Sequence, residues 1–465
     1  MTPLHSDDRA LDLTHPPATR AALRPRARRT LGLTLSVIAC LGVVPSVSSA
    51  QGAGAPPDDA LLGTVEVDGS GDGITPLPKL GYVPVEPASA TERVAQSVVR
   101  RDLELSGQYD VLPLEKLPET TATRDAAIDL AAYRTKGAEV VVRVRYEVRP
   151  DGSEVMGELF DTRGASAAAP PKPLFTTGVK AKSEADVRSA AHRVTDALLG
   201  AGTGRPGPFE SRLVYTKREG KWTSVHTIDA DGENDARVSP LEGTVLSPAF
   251  GPSGVLYYVM SKDFAPFRVA AGPSATLLPI DVPGSVMGVA ISPDKTRAAL
   301  TVMRDGKSSV LLGEGGKLTT LDAAPFAHHP TFGPLGKVAY VGGAPVQRVH
   351  VDGKAVSPAG FMASSPTFCD TTHGLWIVFT VEVQGGAELV ATDSSGGNMR
   401  RLTQRQGENR YPACSPDGRL VAFFSTTKTG QGPGLYLMPV GRPWLAKKVS
   451  SDVGQGLQWE RVGRP

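Results

Sequence analysis

The clearest pattern of apolar and polar positions is a unit that recurs through the second half of the chain. Its fullest copy, residues 411–424, reads Y-P-A-C-S-P-D-G-R-L-V-A-F-F. An apolar strand leads into the turn Ser415-Pro416-Asp417-Gly418, and a second apolar strand follows. Proline presets φ in such a turn, aspartate bonds its own backbone, and glycine accepts a left-handed conformation. The second strand is apolar on both faces, which predicts a place inside a stack of sheets. Weaker copies follow Phe250, Ile291, Phe332 and Phe368, and with Cys414 these positions step by 41, 41, 36 and 46 residues. A repeat of roughly 40–45 residues with several strands per unit predicts a propeller.

The first blade lacks its opening strand. Residues 211–215, 225–229 and 236–238 read as its second, third and fourth strands, with no repeat strand ahead of them. The missing piece lies at the other end: Trp459 falls 45 residues after Cys414 (459 − 414). The C-terminal strand is therefore expected to complete blade one and close a ring of six blades, which removes exposed sheet edges.

Ahead of the repeats the period changes. Residues 80–85 read as a strand. A helix opens at Ser89 with Glu92 as its capping-box partner, and Val94, Ala95, Val98, Val99 and Leu105 mark its buried face. A short strand at 109–112, a helix at 124–135, a hairpin at 140–148 and 154–160, and a strand at 174–181 follow. A last helix opens at Ser183, with Asp186 as box partner, and buries Val187, Ala190, Ala191, Val194 and Leu198. The fold expected is an α/β N-terminal domain plus an all-β six-bladed β-propeller. The divisions are 1–50 as a signal peptide, 51–75 as a flexible partner-binding segment, 76–200 as the α/β domain, 201–209 as a linker and 210–465 as the propeller.

The signal peptide rests on Arg24, Arg26, Arg28 and Arg29 before the apolar run 31–44, with Ser48-Ser49-Ala50 offering a cleavage site. Arg28-Arg29 could belong to a twin-arginine signal, and Cys40 ends a lipoprotein-like box. Export places the mature chain in the periplasm. Formal charge is +2 overall, of which residues 1–50 carry +3 (six Arg, three Asp), so the remainder is near −1 and exerts no general pull on nucleic acid or anionic lipid. The abundant glycine (51) and proline (39) suit a turn-rich β protein. Beyond residue 50, Cys369 and Cys414 are the two cysteines, in first strands of adjacent blades. A disulfide is conceivable there, but a packed thiol in a core slot is the favoured reading.

No G-x-S-x-G elbow, H-E-x-x-H or phosphate loop is present, so no catalytic residues, cofactor or metal are expected. His328 and His329 could ligate a metal, but adjacent residues on an extended strand point apart and no third ligand is evident, so partner contact is preferred. The four tryptophans read as packing.

Several local motifs, taken in order, resemble the TolB family. They are Val65-Glu66-Val67-Asp68-Gly69-Ser70-Gly71-Asp72 with Leu80-Gly81-Tyr82-Val83-Pro84, residues 101–109, residues 137–142, Ala191-His192-Arg193 and Arg212-Leu213-Val214-Tyr215. The resemblance spans about residues 61–465. It implies a non-enzymatic periplasmic scaffold of the Tol–Pal system that supports outer-membrane integrity and division. The segment 61–67, with Leu61, Val65 and Val67, would engage a TolA-like inner-membrane protein. One propeller face would engage a Pal-like outer-membrane lipoprotein. The family's His-Asn-Gly-Ala loop aligns with Ser285, Val286, Met287 and Gly288, without its His or Ala, and the next loop aligns with His328. These departures leave open a paralogue that binds another envelope peptide or glycan. A propeller hydrolase using a channel-mouth carboxylate or histidine is the enzymatic alternative.

Overall fold

A computed structural model describes residue 62 and residues 75–118, 127–150, 152–163, 171–321, 324–427 and 430–461. The N-terminal signal, Leu61, Val65 and Val67 lie outside the described residues.

The first part is a five-stranded sheet in the order β2-β1-β3-β4-β5. β1 (Lys79–Tyr82) runs parallel to β2 (Asp110–Val111) and β3 (Val140–Arg149), while β4 (Gly152–Asp161) and β5 (Phe175–Ala181) continue antiparallel. Helix α1 (Ala90–Leu105) starts where expected, with the Glu92 backbone N–H donating to Ser89 Oγ at 3.1 Å. The return bond of the box comes from Ala88 N–H to the buried Glu92 carboxylate. The buried face differs from expectation at one end. Val94 is 42% exposed, and Asp102 and Leu103 join Ala95, Val98, Val99 and Leu105 inside. The helix is rotated so that Asp102 can meet a buried partner, described below, and Val94 turns outward.

Helix α2 (Leu130–Thr135) is capped by Asp129, so the second helix begins six residues later than 124. Helix α3 (Val187–Thr203) is preceded by a single 3-10 turn, and the Ser183 hydroxyl donates to Asp186 Oδ2 rather than capping a backbone N–H. α3 continues to a left-handed Gly204, past residue 200. It presses close to the sheet at Gly157, where a Cβ would stand 2.5 Å from Val194 Cγ1.

Six four-stranded antiparallel sheets then form the propeller. The inner strands of blades two to six are Thr244–Phe250, Ser285–Ile291, His328–Phe332, Ala363–Thr371 and Asn409–Cys414. Blade one takes its inner strand, Gln455–Trp459, from the C-terminus; it pairs with Arg212–Glu219 in the register Trp459 to Leu213. Trp459 is buried and its indole N–H donates to Ser211 Oγ at 2.8 Å. The ring is closed by both ends of the domain, as expected.

The repeat turn works through side-chain bonds. In blade six, Ser415 Oγ donates to Asp417 Oδ1 at 2.5 Å and accepts from Leu420 N–H, while Arg419 N–H donates to Asp417. Gly418 has φ +77°, and a Cβ there would sit 2.1 Å from the Asp370 carbonyl of the neighbouring blade. In blade three the same Ser-Pro-Asp frame holds, with Lys295 in the left-handed slot. Strand Leu420–Ser425 is buried throughout, as its apolar run predicts. It packs Val421 and Phe423 in one cluster with Val378 and Leu389 of blade five. Burying each such side chain contributes roughly 1.5–3 kcal/mol.

Within that cluster Cys369 and Cys414 form a disulfide, with Cα atoms 5.4 Å apart. This corrects the packed-thiol reading. Cys369 lies one residue past the position equivalent to Cys414, and the two inner strands run close enough there for their Cα atoms to come within bridging distance.

Candidate partner-binding site at the channel mouth

Every inner strand breaks register with its neighbour near its start. The shifts fall at 455/458 and 286/288 and opposite Tyr257/Val259 in the first three blades, and at 328/331, 364/367 and 410/413 in the others. At five of these bulges one residue is left-handed: Ser247 (φ 50°), His329 (48°), Ser365 (51°), Tyr411 (57°) and Gly456 (62°). Left-handed φ costs a non-glycine residue roughly 1–2 kcal/mol. Each of the four non-glycine residues precedes a proline, at positions 248, 330, 366 and 412. Such a bulge re-aims side chains and ends regular pairing. All five left-handed residues and Met287 line one cavity of about 350 Å³ at the mouth of the central channel.

The sequence-derived residues divide here. Met287, His328 and His329 share the cavity, with Thr301, Met303 and Pro412 in the walls. Ser285 and Val286 stand behind it: Ser285 Oγ accepts from Phe267 N–H at 3.1 Å, and Val286 is buried between blades. Gly288 lies under Thr301, whose Oγ1 would be 3.1 Å from a Cβ. The expectation that adjacent histidines point apart is overturned. The left-handed turn at His329 folds the two imidazoles together, with Nδ1 atoms 3.1 Å apart and rings edge to face at 4.7 Å. Loss of water contact in the cavity holds both below the ordinary imidazole range, and a charge on His328 further disfavours one on His329.

The N-terminal segment contributes one described residue. Leu62 is helical rather than extended, and it is buried with Val341, Phe361, Ala363, Phe379 and Val381 in the seam between blades four and five. An apolar side chain gains more from that seam than from the weak alternation of residues 61–67.

Sequence reasoning missed a second polar centre, where the α/β domain meets blade one. His192 of α3 lies 2.8 Å from Asp102 of α1, both buried. Arg188 pairs with Asp229 at 2.9 Å and with the fully buried Asp231, and Arg101 donates to the Asp231 and Val449 carbonyls. Burial alone would lower His192, but the carboxylates of Asp102, Asp229 and Asp231 outweigh it and raise it to about 10. Burial lifts Asp196, which accepts from the Phe209 and Glu210 N–H groups, to about 8. Asp102, His192 and Asp231 are the one group among the described residues with three metal-ligand atoms close together. Arg188, Arg101 and the His192 imidazolium already supply cationic charge there, so the centre reads as an ionic joint. Its signal was visible: Asp102 continues the spacing 95, 98, 99, 102 of buried positions on α1.

Among the described residues no helix is long and apolar enough to cross a membrane. Residues 63–167 match the family model described as the TolB amino-terminal domain. The chain is 29% identical to the Tol-Pal system protein TolB of Polaromonas naphthalenivorans over 48% of its own length and 49% of that protein. It is 31% identical to the same-named protein of Aromatoleum aromaticum over 41% and 42%. The chain thus spans about half the length of the curated relatives it matches. In structure it resembles TolB from Acinetobacter baumannii, with a TM-score of 0.65, 20% identity, and coverage of 83% of this chain and 97% of that one. That likeness concerns the fold.

Proposed function

We propose, from the match of residues 63–167 to the TolB amino-terminal domain and the partial likeness to Tol-Pal system proteins, that this chain is a non-enzymatic periplasmic scaffold of the Tol–Pal type. Its propeller mouth engages a Pal-like, peptidoglycan-associated lipoprotein. Its N-terminal segment, with Leu61, Val65 and Val67, engages a TolA-like inner-membrane protein by strand addition, which draws affinity from main-chain bonds. Together the contacts support outer-membrane integrity and constriction at division.

The observation that carries this reading is the ring of bulges. Backbone strain held at four blades around one cavity is characteristic of a surface shaped for a ligand. Met287, His328 and His329 are the side chains offered there. Leu62 in the seam between blades four and five supports a second role, in which the segment rests on its own propeller and is released or held according to what occupies the mouth.

The test is a pull-down from detergent-solubilised envelope with residues 51–465 as bait beside residues 69–465. The expected result is recovery of a Pal-like lipoprotein by both baits, with a TolA-like protein retained by the longer one alone. Recovery of neither protein overturns the scaffold reading. A His329→Ala bait that recovers as much lipoprotein as the parent overturns the placement at the mouth.

A further inference from the structure

At the opposite end of the inner strands, a cleft of about 660 Å³ opens where the α/β domain meets the turns of blades five and six. Its walls carry Arg400, Arg419, Arg442, His373, Trp376 and Trp444. No Asp or Glu lines it among the described residues. Arg419 is paired with Asp417 behind the wall, so the positive charge that the lining carbonyls and hydroxyls do not neutralise comes from Arg400 and Arg442.

The arginines are placed differently. Arg400 lies exposed with its guanidinium 4.7 Å from the centre of the Trp376 ring. Arg442 spends one N–H on the Thr75 carbonyl at 2.6 Å. Arg419 bonds the Arg205 carbonyl at 2.8 Å and stands 3.6 Å from Asp417. Its Nη1 is buried and has no acceptor among the described residues. A buried donor without an acceptor is costly unless something outside the chain supplies one.

We propose that this cleft binds a carboxylate-bearing oligosaccharide. The guanidinium forks suit carboxylates, which they hold by paired bonds. The Trp444 indole offers a flat apolar face with a polar edge, suited to a ring that is apolar on one face and hydroxylated at the rim, while Trp376 carries Arg400 stacked on its face. Thr372 and the Gln108 carboxamide oxygen add polar partners for ring hydroxyls, whereas the Thr371 hydroxyl is spent on Gly374 and His373. A peptide strand is less well served. The outer strand of blade five beside the cleft, Arg400–Arg401, is two residues long, so main-chain pairing contributes little. The inference is independent of the channel mouth: inner strand Ala363–Thr371 has Ser365 in the mouth and Thr371 in the cleft.

The probe is a hexamer of galacturonic acid, titrated against the full chain by calorimetry and tryptophan fluorescence. Its carboxyl-reduced neutral analogue and an Asp/Glu hexapeptide are run beside it. The acidic hexamer is expected to bind and to perturb tryptophan emission, with an affinity that falls as salt rises. Arg400→Gln and Arg442→Gln should each weaken it about tenfold, the loss of one charge-assisted pair. Thermal melts identify any variant that fails to fold, and His329→Ala should bind the hexamer like the parent. Failure of the acidic hexamer to bind, equal binding of the neutral analogue, or unchanged binding by the folded Arg400→Gln/Arg442→Gln double variant overturns the proposal. Binding of the hexapeptide alone overturns it in favour of an acidic polypeptide.

Discussion

The ionic joint and the channel mouth treat polar and strained groups in opposite ways. At the joint, buried Asp102, His192 and Asp231 and half-buried Arg188 meet one another inside the chain, and their bonds fasten the α/β domain to blade one. At the mouth, Ser247, His329, Ser365 and Tyr411 hold unfavourable backbone angles around an open cavity. The joint adds to stability and the mouth subtracts from it. A region that costs stability without internal return is one whose benefit arises when something else binds.

The contrast is anchored in a shared frame, and breaking that frame has the largest expected effect. Trp459→Ala removes a buried ring and takes the indole donor from Ser211 Oγ, which keeps its bond to the Pro208 carbonyl, so a loss of about 3–5 kcal/mol is expected in urea denaturation. Asp102→Ala isolates the His192 cation beside buried charges, with an expected cost of about 3–5 kcal/mol. A cost under 1 kcal/mol there contradicts the joint as described. Reducing the Cys369–Cys414 disulfide should cost about 2–4 kcal/mol, read by melts with and without reductant. The mouth should respond the other way: Ser365→Gly relieves a left-handed serine and is expected to raise stability by about 0.5–1 kcal/mol, net of the flexibility glycine adds to the unfolded chain.

The two regions also differ in the sign of their pH dependence. His192 is raised from 6.5 to about 10, so its contribution is complete below pH 6.5 and drains away as pH climbs toward 10. Asp196, raised from 3.8 to about 8, acts in the same direction between those values. His328 and His329 are lowered from 6.5, so protonation favours the unfolded chain and stability falls as pH drops below 6.5. Denaturation across pH 5–10 checks this: His192→Ala should flatten the alkaline limb and His329→Ala the acid limb.

Much of the frame was legible in the sequence because it depends on local chemistry that repeats. Ser-Pro-Asp-Gly turns and apolar strands announce blades, and the position of Trp459 announced closure. What was not legible depends on encounters between distant residues. Neither Cys369 nor Cys414 carries a local sign of its partner. Val94 looked buried because helical spacing alone does not reveal that Asp102, and not Val94, has a partner inside. The histidine pair was misjudged because an extended strand was assumed, and a left-handed residue before proline runs against ordinary backbone preference. The prolines at 248, 330, 366 and 412, each two residues before the marker position of its blade, carried that signal.

Closure of blade one by Gln455–Trp459 also sets an order in time. Strand Arg212–Glu219 emerges from the ribosome more than two hundred residues before its partner, so that edge stays unpaired until Gln455–Trp459 has been made. Blades two to six can form their internal hairpins as they appear, but the ring cannot lock until the last strand arrives. The delay holds the ring open while the five intervening blades are made, so an incomplete propeller keeps an unlatched edge.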